Sequence, residues 1–108
     1  MSTKLPEPLA AYYLAQNAHD IDAMIAPFAE TAVVKDEGQE RRGLKAIREW
    51  MEETTRKYRV AVEVLDVSAT DGATLVTASV SGTFAGSPAR LRYAFTVSQR
   101  KIQRLEIT

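Results

Sequence analysis

The sequence predicts an α+β domain of three N-terminal helices packed on a curved, mainly antiparallel sheet that encloses a pocket. Three observations predict the helices and the sheet. Apolar residues recur mainly at helical spacing before residue 59, they alternate with a period of two after it, and no repeat, linker or low-complexity tract divides the chain. We therefore expect residues 1–108 to form a single domain.

Two short helices come first. Pro6 and Pro8 suit the start of a helix, and the spacing of the following apolar residues predicts that this helix ends near Asn17. After a turn, Asp20 has the side chain of an N-cap. The next apolar residues fall at i, i+3, i+4 and i+7, which predicts one apolar face of a short second helix that Pro27 closes.

A strand, a loop and the longest helix follow. The pattern predicts a short strand over residues 31–36, and the polar run 37–42 predicts a loop. Gly43 opens a helix that extends to about Tyr58, and Trp50 lies in its apolar stripe.

From residue 59 onward the alternation predicts four antiparallel strands. The apolar parity changes between Val64 and Leu65, which predicts a bulge or bend, because a shift of one residue swaps the two faces of a strand. A bent sheet around a long helix leaves a tapering cavity at one end, a common place for a small apolar ligand. Turns between the strands are predicted at Asp71-Gly72, at residues 86–88 and at residues 99–101.

The composition argues against several classes of protein and site. Fourteen Lys+Arg balance fourteen Asp+Glu, so the chain lacks the excess of cations that binding to a nucleic-acid backbone needs. The absence of cysteine removes thiol nucleophiles and thiolate metal sites, and a single histidine argues against multi-histidine zinc sites. Apolar runs are too short to span a membrane, and residues 1–6 lack the apolar core of a secretory signal. We expect a cytoplasmic domain with no metal, cofactor, nucleic-acid or membrane partner.

Charge is divided unevenly along the chain. Residues 72–108 carry one acid and five bases, whereas residues 1–71 carry thirteen acids and nine bases. We interpret the basic residues of the second half, among them Arg90 and Arg92, as a solvated outer face of the sheet, since long basic side chains protect exposed strands. The alternative interpretation is a patch for an anionic ligand.

Asp36 is the main candidate for chemistry. It ends the predicted strand on the parity of Ala32 and Val34. A carboxylate that faces a partly apolar cavity loses hydration, which raises its pKa and makes it a better base near neutral pH. The alternative is that Asp36 simply begins the polar loop.

Phenols are the candidate hydrogen-bond donors. Only one of Tyr12 and Tyr13 is expected to face the interior, where a neutral hydroxyl can donate to a developing oxyanion, and Tyr93 lies on the apolar face of a central strand. Each of these tyrosines has the alternative role of an ordinary core residue. We expect four aromatic side chains to contact a ligand: Trp50, Tyr93, Phe28 and Phe95.

Three segments resemble a known group of proteins. Residues 17–22 (NAHDID), 28–32 (FAETA) and 42–50 (RGLKAIREW) are similar to the SnoaL-like and ketosteroid isomerase-like families of the nuclear transport factor two-like superfamily. The similarity covers essentially the whole chain. It implies a conical α+β fold with a ligand cavity, in a homodimer packed through the sheet.

The resemblance also implies roles for two residues. The proton-shuttling aspartate of ketosteroid isomerases falls on Asp36, and the tyrosine that stabilises the oxyanion falls on Tyr12. Those enzymes add a protonated aspartic acid to the oxyanion hole. Residues 72–105 contain no Asp or Glu, so this third group is missing and Tyr93 or a neighbour takes its place.

Two functions therefore stay open. The first is a cofactor-free isomerase, cyclase or lyase that binds a small apolar carbonyl compound and uses Asp36 as base and Tyr12 as donor. The second is a non-catalytic ligand-binding or dimerisation module of the same fold. An epoxide hydrolase would need an acid paired with an arginine in the cavity, and the acid-free strands argue against it.

Overall fold

A computed structural model describes residues 5–70 and 72–108, and within them it confirms an α+β fold of three helices and six strands. The predicted order of the elements is confirmed, with one strand added. The bounds are α1 Glu7–Asn17, α2 Ile21–Ile25, β1 Phe28–Asp36, β2 Gln39–Arg42, α3 Gly43–Tyr58, β3 Ala61–Thr70, β4 Ala73–Ser81, β5 Ala89–Ser98 and β6 Lys101–Ile107.

The strands form one open sheet in the order β2-β1-β6-β5-β4-β3. Neighbouring strands are antiparallel except β1 and β6, which run parallel, so the sheet is mixed. The register of β3 on β4 shifts between Val64 and Asp66, which confirms the predicted bulge. The turn between these two strands contains Gly72 at φ +73°, while Asp71 lies outside the described residues.

Two predicted boundaries were wrong. The polar run 37–42 contains β2, which forms a tight hairpin with β1 through Glu37 and Gly38, both at positive φ. This edge strand is largely solvated, so no apolar alternation marks it in the sequence. Phe28 begins β1 three residues before the predicted start of that strand, because its backbone pairs with Ile102 of β6 while its ring stays buried.

The helices cover the inner face of the sheet. Asp20 caps α2 as predicted, since its Oδ1 accepts from the backbone N–H of Ala23 at 3.2 Å. Helix α3 packs on β1 and buries Ile47 and Met51, each contributing roughly 1.5–3 kcal/mol of apolar burial. No helix in the described segments is long and apolar enough to cross a membrane.

The side chain of Asn17 ties the end of α1 to edge strand β3. Its Nδ2 donates to the carbonyl oxygen of Val62 at 2.9 Å, and its Oδ1 accepts from the N–H of the same residue at 2.7 Å. The amide therefore acts as a short strand partner for Val62. Tyr12 and Asn17 belong to the same helix, α1. Because Tyr12 lines a cavity, the Asn17 contact also holds the helix that forms one wall of that cavity.

We expect Asn17→Ala to lower the free energy of unfolding by about 1–2 kcal/mol, because both backbone groups of Val62 lose their partner. Urea unfolding measures the change. Gln103→Ala is the control, since the Gln103 amide donates to Ser98 in an exposed turn, and its removal should cost less than about 0.5 kcal/mol. Equal losses in the two variants would contradict the proposed role of Asn17.

Candidate active site

A cavity of about 470 Å³ lies between α1, α3 and the inner face of the sheet. Its size falls in the range of small-molecule pockets. The wall is predominantly apolar and aromatic, with a few polar groups. The lining residues are Tyr12, Gln16, Asp36, Glu37, Trp50, Thr54, Tyr58, Val60, Val80, Phe84, Ala85, Leu91, Tyr93, Ile107 and Thr108.

The cavity has a buried end and an open end. Tyr12, Trp50 and Tyr93 expose 5% or less of their surface and form the deep wall. Glu37 and Ala85 are exposed and lie at the mouth. A ligand can thus enter at the end of β1 and reach the aromatic groups behind it.

Asp36 lies on the wall between these two ends, as the last residue of β1. Its carboxylate is half-buried, and the indole Nε1–H of Trp50 donates to Oδ2 at 3.1 Å. The contact forms because α3 packs on β1 and turns the buried face of Trp50 toward the end of that strand. The hydrogen bond orients the carboxylate through one oxygen.

Burial raises the pKa of Asp36 above its ordinary value, since the ionised form loses hydration. The Trp50 hydrogen bond opposes this rise, the nearby charge of Glu37 adds to it, and the Glu37 backbone amide and Arg41 lower the pKa again. The balance leaves a carboxylate that is more basic than one in water. Such a group is suited to accept a proton near neutral pH.

The two phenols on the deep wall are held neutral. The Tyr12 hydroxyl is fully buried and has no hydrogen-bond partner among the described residues. Burial raises its pKa well above the usual range, and Tyr93 and Asp36 raise it further. Burial and the Asp36 charge also raise the pKa of Tyr93. Both side chains keep their protons and remain donors, and both line the cavity that Asp36 also lines.

The expectation that only one of Tyr12 and Tyr13 faces the interior was wrong. Both rings are buried, with centroids 5.2 Å apart in an edge-to-face contact. Adjacent helical positions can both be buried when the apolar face of the helix is broad, and α1 has such a face because the curved sheet wraps it. Tyr13 packs against Tyr93 and Phe95, away from the cavity wall.

Of the four predicted ligand contacts, Trp50 and Tyr93 line the cavity and the other two do not. Phe28 and Phe95 lie behind Tyr12, with ring centroids 5.7 and 6.0 Å from its ring. Both rings pack against the Tyr12 ring, which itself lines the cavity. Their direct contact with a ligand stays a prediction.

Several wall residues were not predicted from the sequence. Gln16 lies one helical turn after Tyr12, and its Oε1 is buried without a partner among the described residues. Its i+4 spacing from Tyr12 was the available signal. Tyr58 and Phe84 meet edge to face at 5.9 Å, and the Thr83 hydroxyl joins their segments through the carbonyl of Tyr58 at 3.1 Å.

Within residues 5–70 and 72–108, no group of three or more His, Asp or Glu side chains is placed to hold a metal ion. The arrangement instead offers one carboxylate, two neutral phenols and an amide in an apolar space. These groups can remove a proton from a neutral molecule and stabilise the negative charge that develops on an oxygen.

Comparison with known proteins identifies a family and several similar structures. The SnoaL-like domain model matches residues 9–104. A candidate polyketide cyclase from Sinorhizobium meliloti is 38% identical, with a TM-score of 0.92 over 96% of this chain and 95% of that one. A second candidate polyketide cyclase, from Xanthomonas campestris, is 25% identical, with a TM-score of 0.78 over 93% and 85%.

A nuclear transport factor two-like protein of unknown function from Cytophaga hutchinsonii shares the fold alone, at 12% identity and a TM-score of 0.80 over 100% of this chain and 91% of that one. No curated protein sequence matches the chain. The family match and the 38% identical structure both cover nearly the full length. The chain belongs to the SnoaL-like domain family, with the nuclear transport factor two-like, ketosteroid isomerase-like fold.

Proposed function

We propose that this protein binds a small, largely apolar carbonyl compound and catalyses an isomerisation or cyclisation by acid–base chemistry, without a cofactor. One observation carries the proposal. Asp36 lines an aromatic cavity with one carboxylate oxygen held by Trp50, and two neutral phenols, Tyr12 and Tyr93, line the same cavity. A base and hydrogen-bond donors around one apolar space are the groups that enolisation requires.

The chemistry has two steps. Asp36 removes a proton from the carbon next to the carbonyl group, and the electron pair of the broken C–H bond moves onto the carbonyl oxygen. Tyr12 and Tyr93 donate hydrogen bonds to the resulting enolate, which stabilises its charge in a site of low dielectric constant. The protonated Asp36 then returns the proton, either to another carbon of the same molecule or to the alkoxide that forms when the enolate attacks a second carbonyl.

The comparisons favour cyclisation as the second step. Two of the similar structures belong to candidate polyketide cyclases, one of them at 38% identity. Ring closure needs the ligand to fold within a confined space, and a cavity of about 470 Å³ accommodates a molecule of this kind. The cytoplasmic location stays a prediction from the sequence.

A non-catalytic ligand-binding module is the second candidate. The Tyr12 hydroxyl is fully covered, and residues 72–105 supply no second acid for an oxyanion hole. A site with these properties can hold a carbonyl compound without removing its proton. Exchange of ketone protons for deuterium separates the two candidates, because only the catalytic one removes a proton.

Asp36→Asn should lower the rate of proton exchange at least about 100-fold, because the amide cannot accept the proton. The probe is 2-tetralone in D2O, a neutral ketone whose acidic C–H signals disappear from the NMR spectrum as deuterium enters. Asp22→Asn is the matched control, since Asp22 is exposed on α2 outside the cavity lining. Binding of the ketone with no exchange above the buffer rate would favour the non-catalytic module.

Trp50→Phe should shift the pH dependence of this exchange toward higher pH. The Trp50 hydrogen bond lowers the pKa of Asp36, so its loss raises that pKa further and the reactive carboxylate forms at higher pH. The measurement is the midpoint of the acid limb of the rate profile. Tyr58→Phe removes a hydroxyl from the cavity wall without removing a hydrogen bond to Asp36 and should leave the midpoint in place.

We also propose a homodimer formed through the outer face of the sheet. Leu75 of β4, the second strand from the β3 edge, is 41% exposed on this face, next to Ser68 of β3 and Ala94 of β5. In the neighbouring row Asp66 and Arg92 flank Thr77 on opposite sides. A two-fold axis along β4 would bring Asp66 of one copy opposite Arg92 of the other, so the face is complementary to itself.

Leu75→Glu should convert this dimer into a monomer, because the substitution places a charge at the centre of the apolar contact. Sedimentation or light scattering measures the mass. Leu14→Glu is the control, since Leu14 is 75% exposed on α1 rather than on the sheet. A wild-type monomer at micromolar concentration, or a dimer disrupted only by Leu14→Glu, would contradict the proposal.

A further inference from the structure

The arginines of β5 lie on the face of the sheet opposite the cavity. In β5, Arg90 and Arg92 are exposed, and the alternating residues Leu91 and Tyr93 line the cavity. Among the described residues, the lining includes the acids Asp36 and Glu37 and contains no Lys, Arg or His. The cavity therefore combines two carboxylates with an apolar wall, although the whole chain has no net charge.

Aromatic rings supply much of that wall. Five of the lining residues are aromatic. Two of them, Tyr58 and Phe84, pack edge to face, and the Lys57 ammonium group lies 5.2 Å from the centre of the Tyr58 ring. The faces of aromatic rings attract cations, most strongly where water is excluded. Carboxylates next to such rings favour a positive charge and oppose a negative one.

We propose that the ligand of this cavity is a carbonyl compound that carries a positively charged alkylammonium group. This inference rests on the proposed function, which places the carbonyl end beside Asp36. Glu37 follows Asp36 directly and is exposed at the mouth, so the ammonium group lies there, between the Glu37 carboxylate and the aromatic wall.

Arg41 is a cation whose positive charge acts on Asp36. It lowers the pKa of Asp36, but it stands outside the cavity lining and approaches Glu53 at 4.0 Å. It offsets part of the charge of Asp36 and leaves Glu37 as the acid at the mouth. Glu37 is therefore the residue expected to distinguish a cationic ligand from a neutral one.

Three methyl ketones with the same three-carbon spacer test the proposal. They are 5-(trimethylammonio)pentan-2-one, its neutral isostere 6,6-dimethylheptan-2-one, and the anion 5-oxohexanoate. Dissociation constants come from NMR titration of the protein at low and high salt. The ammonium ketone should bind about tenfold more tightly than the neutral isostere, and the carboxylate should bind most weakly.

Glu37→Gln should reduce the preference for the ammonium ketone to about threefold or less and leave the affinity for the neutral isostere unchanged. Glu63→Gln, which removes an exposed acid of β3 outside the lining, should preserve the full preference. Equal or tighter binding of the neutral isostere or of the carboxylate would overturn the inference. So would a lack of binding by the ammonium ketone at millimolar concentration.

The two proposals fail in different ways. Asp36-dependent exchange of 2-tetralone together with no preference for the ammonium ketone would keep the catalytic function and remove the cationic ligand. A clear preference for the ammonium ketone with no exchange would keep the ligand class and remove the catalysis.

Discussion

The hydrogen bond from the Trp50 indole to Asp36 is the interaction on which the candidate site depends. It joins the middle of α3 to the end of β1, the two elements that meet beside the cavity. Burial alone would favour a protonated Asp36, and a fully hydrated carboxylate would be a weak base. The indole N–H stabilises the ionised form while the apolar wall keeps its pKa raised. The contact therefore orients the carboxylate, and the burial around it makes the carboxylate basic.

The aromatic cluster around Tyr12 holds the other half of the site. Tyr13, Phe28 and Phe95 contact the Tyr12 ring at 5.2 to 6.0 Å and confine it to one position. A buried hydroxyl without a partner costs about 1–3 kcal/mol, so the fold maintains this tyrosine at the expense of stability. A phenylalanine would fill nearly the same space without that cost. The hydroxyls of Tyr12 and Tyr13 are both buried without a partner among the described residues, but of the two only Tyr12 lines the cavity, where a ligand oxygen can supply the missing partner.

The sequence predicts those features that are encoded locally. The Asp20 cap, the bulge after Val64 and the long helix starting at Gly43 depend on neighbours in the chain, and the structure contains all three. Strand β2 was missed because an edge strand with solvated side chains needs no apolar alternation. The positions of Gln16 and Glu37 on the cavity wall result from the packing of distant elements, which spacing along one helix or strand does not reveal. Asp36 was identified because strand parity and family resemblance point to the same residue.

The register of β5 links the outer surface to the cavity. Arg90 and Arg92 alternate with Leu91 and Tyr93, so a shift of one residue would move two cations into the cavity and two wall residues into solvent. Tyr93 pairs with Val76 of β4 and with Ile107 of β6. A shift of β5 would break both pairs and expose buried side chains, so this pairing opposes the shift. The same apolar packing that stabilises the sheet therefore excludes these arginines from the cavity and leaves its acids without a cationic partner from β5. In this way the hydrophobic core constrains the charge of the ligand as well as the shape of the space it occupies.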